Sequence, residues 1–281
     1  MLYESQCYVS PSKINLFLHV LHRRTDGYHE LQTLFQLLDY GDELTFKPNN
    51  NGILEFHQTT ESKGLALPAS KNLIVKAAQL IQETTDTKNI GAKIVLYKRI
   101  PIGAGLGGGS SNAATTLKAL NKLWECNLSD QELATLALKL GADVPFFLKG
   151  ESAWGEGIGE KLKPIKLKKA WFAIITPNCR VSTAHIFSHE NLTRNSQAIK
   201  MADFLAGSTK NTKNDCEPLV RKLYPQVDEA FRWLESHAKA RMTGTGSSVF
   251  AKFSSEKQAK AILKRLPDNM RGFVAEGINT L

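Results

Sequence analysis

Five of the seven residues from Gly103 to Gly109 are glycine, and Ser110 and Ser111 follow directly. Glycine loses more conformational freedom on folding than any other residue, so so dense a run needs a reason. The segment before it, AKIVLYKRIP (92–101), reads as a strand, and the alanine-rich, leucine-spaced segment from Ala113 to Trp124 reads as a helix. Strand, glycine loop and helix in series make an anion cradle. Glycine permits positive φ and lets backbone N–H groups approach a ligand without a Cβ between them. The helix N-terminus adds unpaired N–H groups and a partial positive charge. A plain tight turn needs one or two glycines rather than five, so the loop reads as a phosphate site.

Three kinds of phosphate loop compete. The loop of P-loop NTPases ends in Gly-Lys-Ser/Thr, and no lysine stands between Gly103 and Ser111. The dinucleotide pattern G-x-G-x-x-G is literally present as Gly103, Gly105 and Gly108. It wants a buried apolar strand before it and an acidic residue on a second strand about 20 residues later. Here the preceding KIVLYKR is half charged, and the acid near that distance, Glu125, falls at the end of a helix. A glycine-serine loop is the third kind.

The rest of the chain alternates strands and helices. KINLFLHV (13–20) alternates, with Ile14, Leu16, Leu18 and Val20 on one face and Lys13, Asn15, Phe17 and His19 on the other. One buried and one mixed face are expected. Asp26-Gly27 marks a turn, and ELQTLFQLLDYGDELTF (30–46) reads as strand, turn, strand. Residues 49–68 read as loop with one strand at ILEFHQ, and a helix is expected from Asn72. Ser129-Asp130 caps a helix that ends at Gly141. KGESAWGEGIGEKLKPI (149–165) suits a hairpin or an interdomain crossing. Beyond it come strands at 171–176, 239–243, 248–253 and 271–276, and helices at 197–206, 215–223, 225–237 and 255–265. Two α+β domains, 1–160 and 161–281, with a mixed sheet are expected, and a ligand cleft between them.

Net charge is +9, which suits phosphate-bearing small molecules. The basic stretch KLKPIKLKK (161–169) has no nucleic-acid-binding pattern beside it and reads as a solvated strand edge or linker. No apolar run approaches a membrane span, so no membrane partner is expected. Cys7, Cys126, Cys179 and Cys216 are far apart and the N-terminus has no secretory pattern. Reduced thiols in a cytoplasmic protein are expected.

Taken together, the motifs resemble the GHMP kinase superfamily, in the branch that acts on a cytidine-diphosphate-linked methylerythritol. PIGAGLGGGSSNAA (101–114) resembles its phosphate loop. SPSKINLFLHV (10–20) and RTDGYHELQTLFQLLDYGD (24–42) resemble its N-terminal segment. LGADVPFFLKG (140–150) resembles its catalytic-acid motif, and NDCE (214–217) and TGTGSSVFA (243–251) its C-terminal motifs. The resemblance runs nearly end to end. Most superfamily members have a shorter loop, Gly-Leu-x-Ser-Ser, whereas Gly107, Gly108 and Gly109 here separate Leu106 from the serines. That lengthening fits the diphosphocytidyl branch and argues against mevalonate, homoserine and galactose kinases.

The resemblance implies a two-domain architecture, ribosomal-protein-S5-like then ferredoxin-like, with the active site between. It also implies ATP, Mg²⁺ and the substrate 4-diphosphocytidyl-2-C-methyl-D-erythritol, in a monomer or homodimer. The loop from Pro101 through Gly103, Ala104, Gly105, Leu106, Gly107, Gly108 and Gly109 to Ser110 and Ser111 would hold the nucleotide, with Asn72 and Lys98 near adenine. By its residue context alone, Asp143 is either a helix N-cap, slightly favoured, or a functional acid; the resemblance places the catalytic base there. Lys13 on its own reads as an exposed strand residue; the resemblance makes it the catalytic partner, on the same strand face as Asn15. Tyr28 and Phe187 would stack on cytosine and His29 would hydrogen-bond it. Asn15, Thr183, Gly244, Thr245 and Gly246 are candidates for hydroxyl or diphosphate contacts. The metal ligands are left open. The competing readings are another GHMP kinase, a non-catalytic nucleotide-binding protein and an NAD-dependent oxidoreductase.

Overall fold

The structure, a computed structural model of the 281-residue chain, describes residues 4–60, 72–207 and 212–281. The described residues fall into two compact units, each discontinuous in sequence. The first draws on 1–12, 40–100 and 107–150, and the second on 13–39, 101–106 and 151–281. Two long strands, β1 (Gln6–Arg23) and β2 (His29–Asn49), contribute residues to both.

In the first unit, β3 (Leu54–Thr60) and β4 (Gly91–Lys98) join the later half of β2. β4 pairs with β2 antiparallel, Leu44 opposite Leu96 and Phe46 opposite Ile94, and with β3 parallel, so the sheet is mixed as expected. Those four side chains are buried, which period-2 alternation dictates for one face. The helices α1 (Leu73–Thr84), α2 (Gly108–Leu123), α3 (Asp130–Leu140) and α4 (Val144–Lys149) pack on one another, and α1 packs on β3. Asn72 caps α1, its Oδ1 accepting from the Ile74 N–H at 2.9 Å. α3 begins with a capping box: the Ser129 N–H donates to Glu132 Oε2 and the Glu132 N–H to Ser129 Oγ. α2 is followed by α3, not by a strand parallel to β4, so no dinucleotide-binding βαβ unit forms here.

One expectation for this region is corrected. β2 is one strand, not two with a turn at DYG. Gly41 lies within it because the Ser10 carbonyl of β1 comes so close that an added Cβ would meet its oxygen. The apolar run after Asp143 forms the short helix α4, which buries Val144, Phe146, Phe147 and Leu148. The loop expected at 61–68 lies outside the described residues.

In the second unit, β5 (Ala153–Gly157) and β6 (Lys161–Pro164) form a hairpin, one of the two readings of 149–165, on the early half of β2. Among the described residues β6 pairs only with β5, and its lysines are solvated edge residues. β7 (Trp171–Thr176), β8 (Ala240–Met242), β9 (Val249–Phe253) and β10 (Arg271–Ile278) run antiparallel in the order β10-β7-β9-β8. Helices α7 (Glu217–Leu223), α8 (Pro225–Glu235) and α9 (Glu256–Leu263) belong to this unit, α8 packing on β8 and β9 and α9 on β7, β9 and β10. Val220, Val227, Leu234, Met242 and Val249 lie at the centre of the resulting core.

A helix expected at 197–206 is only α6 (Met201–Leu205), and α5 (Thr183–Ser188) is an additional one. Tertiary hydrogen bonds explain the shortening. The Ser196 N–H donates to the Val20 carbonyl and the Ile199 N–H to Gln32 Oε1, which keeps 193–200 out of the helix. Nor does β1 have a mixed outer face: Lys13, Asn15, Phe17 and His19 are as buried as Ile14, Leu18 and Val20. All four cysteines are free thiols.

Candidate active site

The glycine loop takes the backbone conformation that its composition permits. Gly103, Gly105 and Gly107 have φ of 69°, 75° and 73°. Gly107 is the N-cap residue of α2, in the left-handed region with no side-chain cap. The first amides of α2 are thus left to other acceptors, until the Ser111 N–H closes the first turn on the Gly107 carbonyl. Glycine at 105 also allows a close approach, since an added Cβ would lie 2.4 Å from the Thr243 carbonyl oxygen. At 108 an added Cβ would lie 2.9 Å from Ile100 Cγ2 and 3.2 Å from Lys98 Nζ. Ala104 and Leu106 are buried, Pro101 and Ser110 half-buried, and Gly109 exposed. Ser111 is buried and its hydroxyl accepts from Ser10 Oγ at 2.8 Å, so the two loop serines differ in availability. Beside Gly103 runs the stem of Arg180, whose Cγ would be 3.7 Å from an added Cβ.

Below the loop lies a buried ion pair. Lys98 Nζ is 2.7 Å from Asp42 Oδ2 and also donates to the Ile100 carbonyl. Asp42 Oδ1 accepts from the N–H groups of Arg99 and Ile100, at 2.8 and 2.7 Å. This clasp ends β4 and sets where the loop departs. Burial lowers the Lys98 pKa, and the Asp42 charge opposes that shift. The Lys98 ammonium is thereby engaged with protein groups, and the Asn72 side-chain oxygen with the α1 cap. Removing Asp42 leaves a buried lysine without its counter-charge. We expect Asp42→Ala to lower unfolding stability by about 3–5 kcal/mol. Urea denaturation measures this, and a loss below about 1 kcal/mol, typical of a surface pair, would count against the clasp.

In the second unit Lys13 and Asn15, each 3% exposed, sit two apart on β1 and share a face. Lys13 Nζ donates to Asn15 Oδ1 at 2.6 Å and lies 5.4 Å from the centre of the Phe35 ring. Asn15 Nδ2 donates to Thr33 Oγ1 at 2.8 Å, and the Asn15 N–H to Thr243 Oγ1 at 2.9 Å. The Thr243 hydroxyl donates to the Gly105 carbonyl, and the Lys13 N–H to the Leu106 carbonyl. The predicted residues Lys13, Asn15, Gly105 and Leu106 are therefore brought together, with Thr33 and Thr243 as links. The turn with Gly244, Thr245 and Gly246 follows Thr243, with φ of 57° at Gly244 and 83° at Gly246. Thr183 and Thr245 meet through their hydroxyls at 2.9 Å.

Sequence reasoning assigned no role to NDCE, which holds that turn. Asn214 Nδ2 donates to the carbonyls of Met242 and Gly244, both at 2.8 Å, and Asp215 Oδ2 accepts from the Val20 N–H. A buried asparagine can satisfy two carbonyls in this way, but its partners lie 28 and 30 residues away, so no local pattern reveals them.

His29 and Phe187 also meet, their ring centres 5.3 Å apart and their planes at 32°. Tyr28 is 61% exposed on the turn, where its N–H donates to Asp26 Oδ1. Arg194, a residue that sequence reasoning missed, donates to His29 Nε2 at 2.9 Å. Burial, then the charges of Arg194 and Arg23, lower the His29 pKa. Asp143 is half-buried at the N-cap position of α4, with φ −84° and ψ −12°, and its side chain makes no cap hydrogen bond. The cap reading of Asp143 lacks the bond it needs.

Two family models match the chain, the GHMP kinases N terminal domain over residues 72–151 and the GHMP kinases C terminal over 192–272. Both parts of the chain are thus those of a GHMP kinase. Among curated relatives, the 4-diphosphocytidyl-2-C-methyl-D-erythritol kinase of Alkalilimnicola ehrlichii is 53% identical over 274 residues, 98% of this chain and 91% of that one. The enzyme of the same name from Marinobacter nauticus is 49% identical over 277 residues, 96% and 93% of the two chains. A crystal structure of 4-(cytidine 5'-diphospho)-2C-methyl-D-erythritol kinase superposes with a TM-score of 0.82 at 32% identity, over 98% of this chain and 100% of that one. Within the GHMP class, the chain belongs to the 4-diphosphocytidyl-2-C-methyl-D-erythritol kinase family. No helix among the described residues is long and apolar enough to cross a membrane.

Proposed function

We propose that the protein transfers the γ-phosphoryl group of ATP to the 2-hydroxyl of 4-diphosphocytidyl-2-C-methyl-D-erythritol, giving the 2-phosphate and ADP. The observation that carries this reading is the uncapped N-terminus of α2 behind left-handed Gly107, in a chain about half identical to kinases named for that substrate. The amides of Gly108, Gly109 and Ser110 receive the nucleotide phosphates, and the helix dipole favours their charge. Phosphoryl transfer then needs charge neutralisation and an alcohol that loses its proton. Mg²⁺ bound with ATP would neutralise phosphate charge, and it takes hard oxygen donors. Ser110, half-buried in the first turn of α2, offers such a donor, whereas the Ser111 hydroxyl is engaged by Ser10.

Asp143 takes the proton of the acceptor hydroxyl. Lys13, oriented by Asn15, holds positive charge for the developing alkoxide. Thr183, Gly244, Thr245 and Gly246 line the acceptor's polar path, and Tyr28, His29 and Phe187 receive its cytosine. A coupled ADP-release assay with the cytidine substrate tests the whole reading. Turnover only with an alcohol that lacks cytidine would move the protein to another GHMP activity, and no turnover above background would remove the proposal.

The base pocket has its own test. Tyr28→Ala removes one stacking face and raises KM for the cytidine substrate about tenfold or more, since a base–aromatic stack is worth about 1–3 kcal/mol. KM for ATP stays near wild type. A rise in the ATP value instead would mean that Tyr28 serves the nucleotide.

A further inference from the structure

We propose that Arg194 is a positioning residue that locks His29 in the Nδ1–H tautomer, so that His29 presents a hydrogen-bond donor to the base of the acceptor substrate. The role given to the base rests on the cytidine reading above; the tautomer does not.

The geometry leaves one arrangement of protons. Arg194 Nε–H donates to His29 Nε2 at 2.9 Å. A guanidinium has donors only, so the nitrogen it faces must carry a lone pair. A neutral imidazole with a lone pair on Nε2 bears its proton on Nδ1. Burial, Arg194 and Arg23 all act against protonation of the ring, which keeps it neutral. Among the described residues Nδ1 has no hydrogen-bond partner, so its proton is available to a ligand.

Arg194 is itself immobilised. Its Nη1 donates to the carbonyls of Glu190 and Leu192, at 3.3 and 3.2 Å, and its Nη2 to those of Phe187 and His189, at 3.0 and 2.7 Å. With Nε on His29, all five N–H groups of the guanidinium are engaged. One side chain thus ties the backbone of Phe187 to the ring of His29, and those two rings lie 5.3 Å apart. The consequence is chemical selectivity. Cytosine carries acceptors at its O2 carbonyl and ring N3, which a fixed donor satisfies. With the reverse tautomer, Nδ1 would face those acceptors with a lone pair.

Nitrogen-15 NMR of the imidazoles in the intact protein tests the lock. In wild type, His29 should show a protonated Nδ1 and an unprotonated Nε2, assigned by loss of the signal in His29→Gln. Arg194→Met, which keeps length but no donor, should move His29 toward the Nε2–H form. The same variant should raise KM for the cytidine substrate about tenfold, with KM for ATP and kcat at saturation near wild type. An Nε2–H His29 in wild type, or a tautomer unchanged by Arg194→Met, overturns the proposal. Equal losses for ATP and the acceptor in a folded variant also overturn it, because they mark a general structural role. If the acceptor lacks cytidine, the NMR result stands and only the base's identity falls. If Arg194→Met fails to fold, the wild-type spectrum and that of Arg194→Lys decide: lysine keeps a cationic donor and should preserve the Nδ1–H form, and its reversal would defeat the proposal.

Discussion

Asp143→Asn lowers kcat by about 10²–10⁴-fold, the usual contribution of a general base, while KM for ATP and for the acceptor stays near wild type. Asparagine keeps the size of the side chain and most of its hydrogen-bonding geometry, but it cannot take up the hydroxyl proton at neutral pH. The structure sharpens this experiment. Asp143 stands at the N-cap position of α4 yet makes no cap hydrogen bond there, so little capping is lost with the carboxylate. A residue that served only as a cap would be replaced by asparagine almost without cost, and activity would persist. One purified variant, checked for folding and assayed with both substrates saturating, separates the two outcomes by orders of magnitude.

Gly107→Val raises KM for ATP by at least about tenfold and leaves KM for the acceptor unchanged. Gly107 sits at φ 73° and ψ 10°, a region that costs an L-residue about 1–2 kcal/mol and a β-branched one more. The variant can relieve that strain only by rotating the backbone just before the first amides of α2. Those amides are the proposed phosphate donors, so binding suffers more than folding. Isothermal titration with ATP beside a thermal melt reads both quantities. Unchanged ATP affinity in a folded variant would place the phosphates elsewhere.

Much of the candidate site's local geometry was legible because it depends on near neighbours in the chain. Five glycines between a strand and a helix have few uses, and the left-handed φ values at Gly103, Gly105 and Gly107 are those that composition permits. The i, i+2 spacing of Lys13 and Asn15 put them on one face, and their side chains touch at 2.6 Å. The capping box of α3 and the β5–β6 hairpin follow from neighbours within a few residues. Arg194 was not legible, because its partner His29 lies 165 residues away, and Asp42 was not, because its contacts to Lys98, Arg99 and Ile100 span 56 to 58 residues.

By itself the sequence determined the elements whose information is periodic or local: most of the strands and helices, the cap of α3, the left-handed conformation that the glycine loop permits and the family to which its ordered motifs point. Tertiary structure decided which polar residues are buried and what each is bonded to. Lys13 reads as an exposed strand residue but is buried, because both faces of β1 are covered. Asp143 reads by context as either a helix cap or a functional acid, and its side chain makes no cap bond. Lys98 has its ammonium held by Asp42 and Ile100, partners that its sequence neighbourhood does not show. The physical reason is common to all three. Burial obliges each polar group to find a partner, and the partner is whatever the fold brings within about 3 Å, at any separation along the chain.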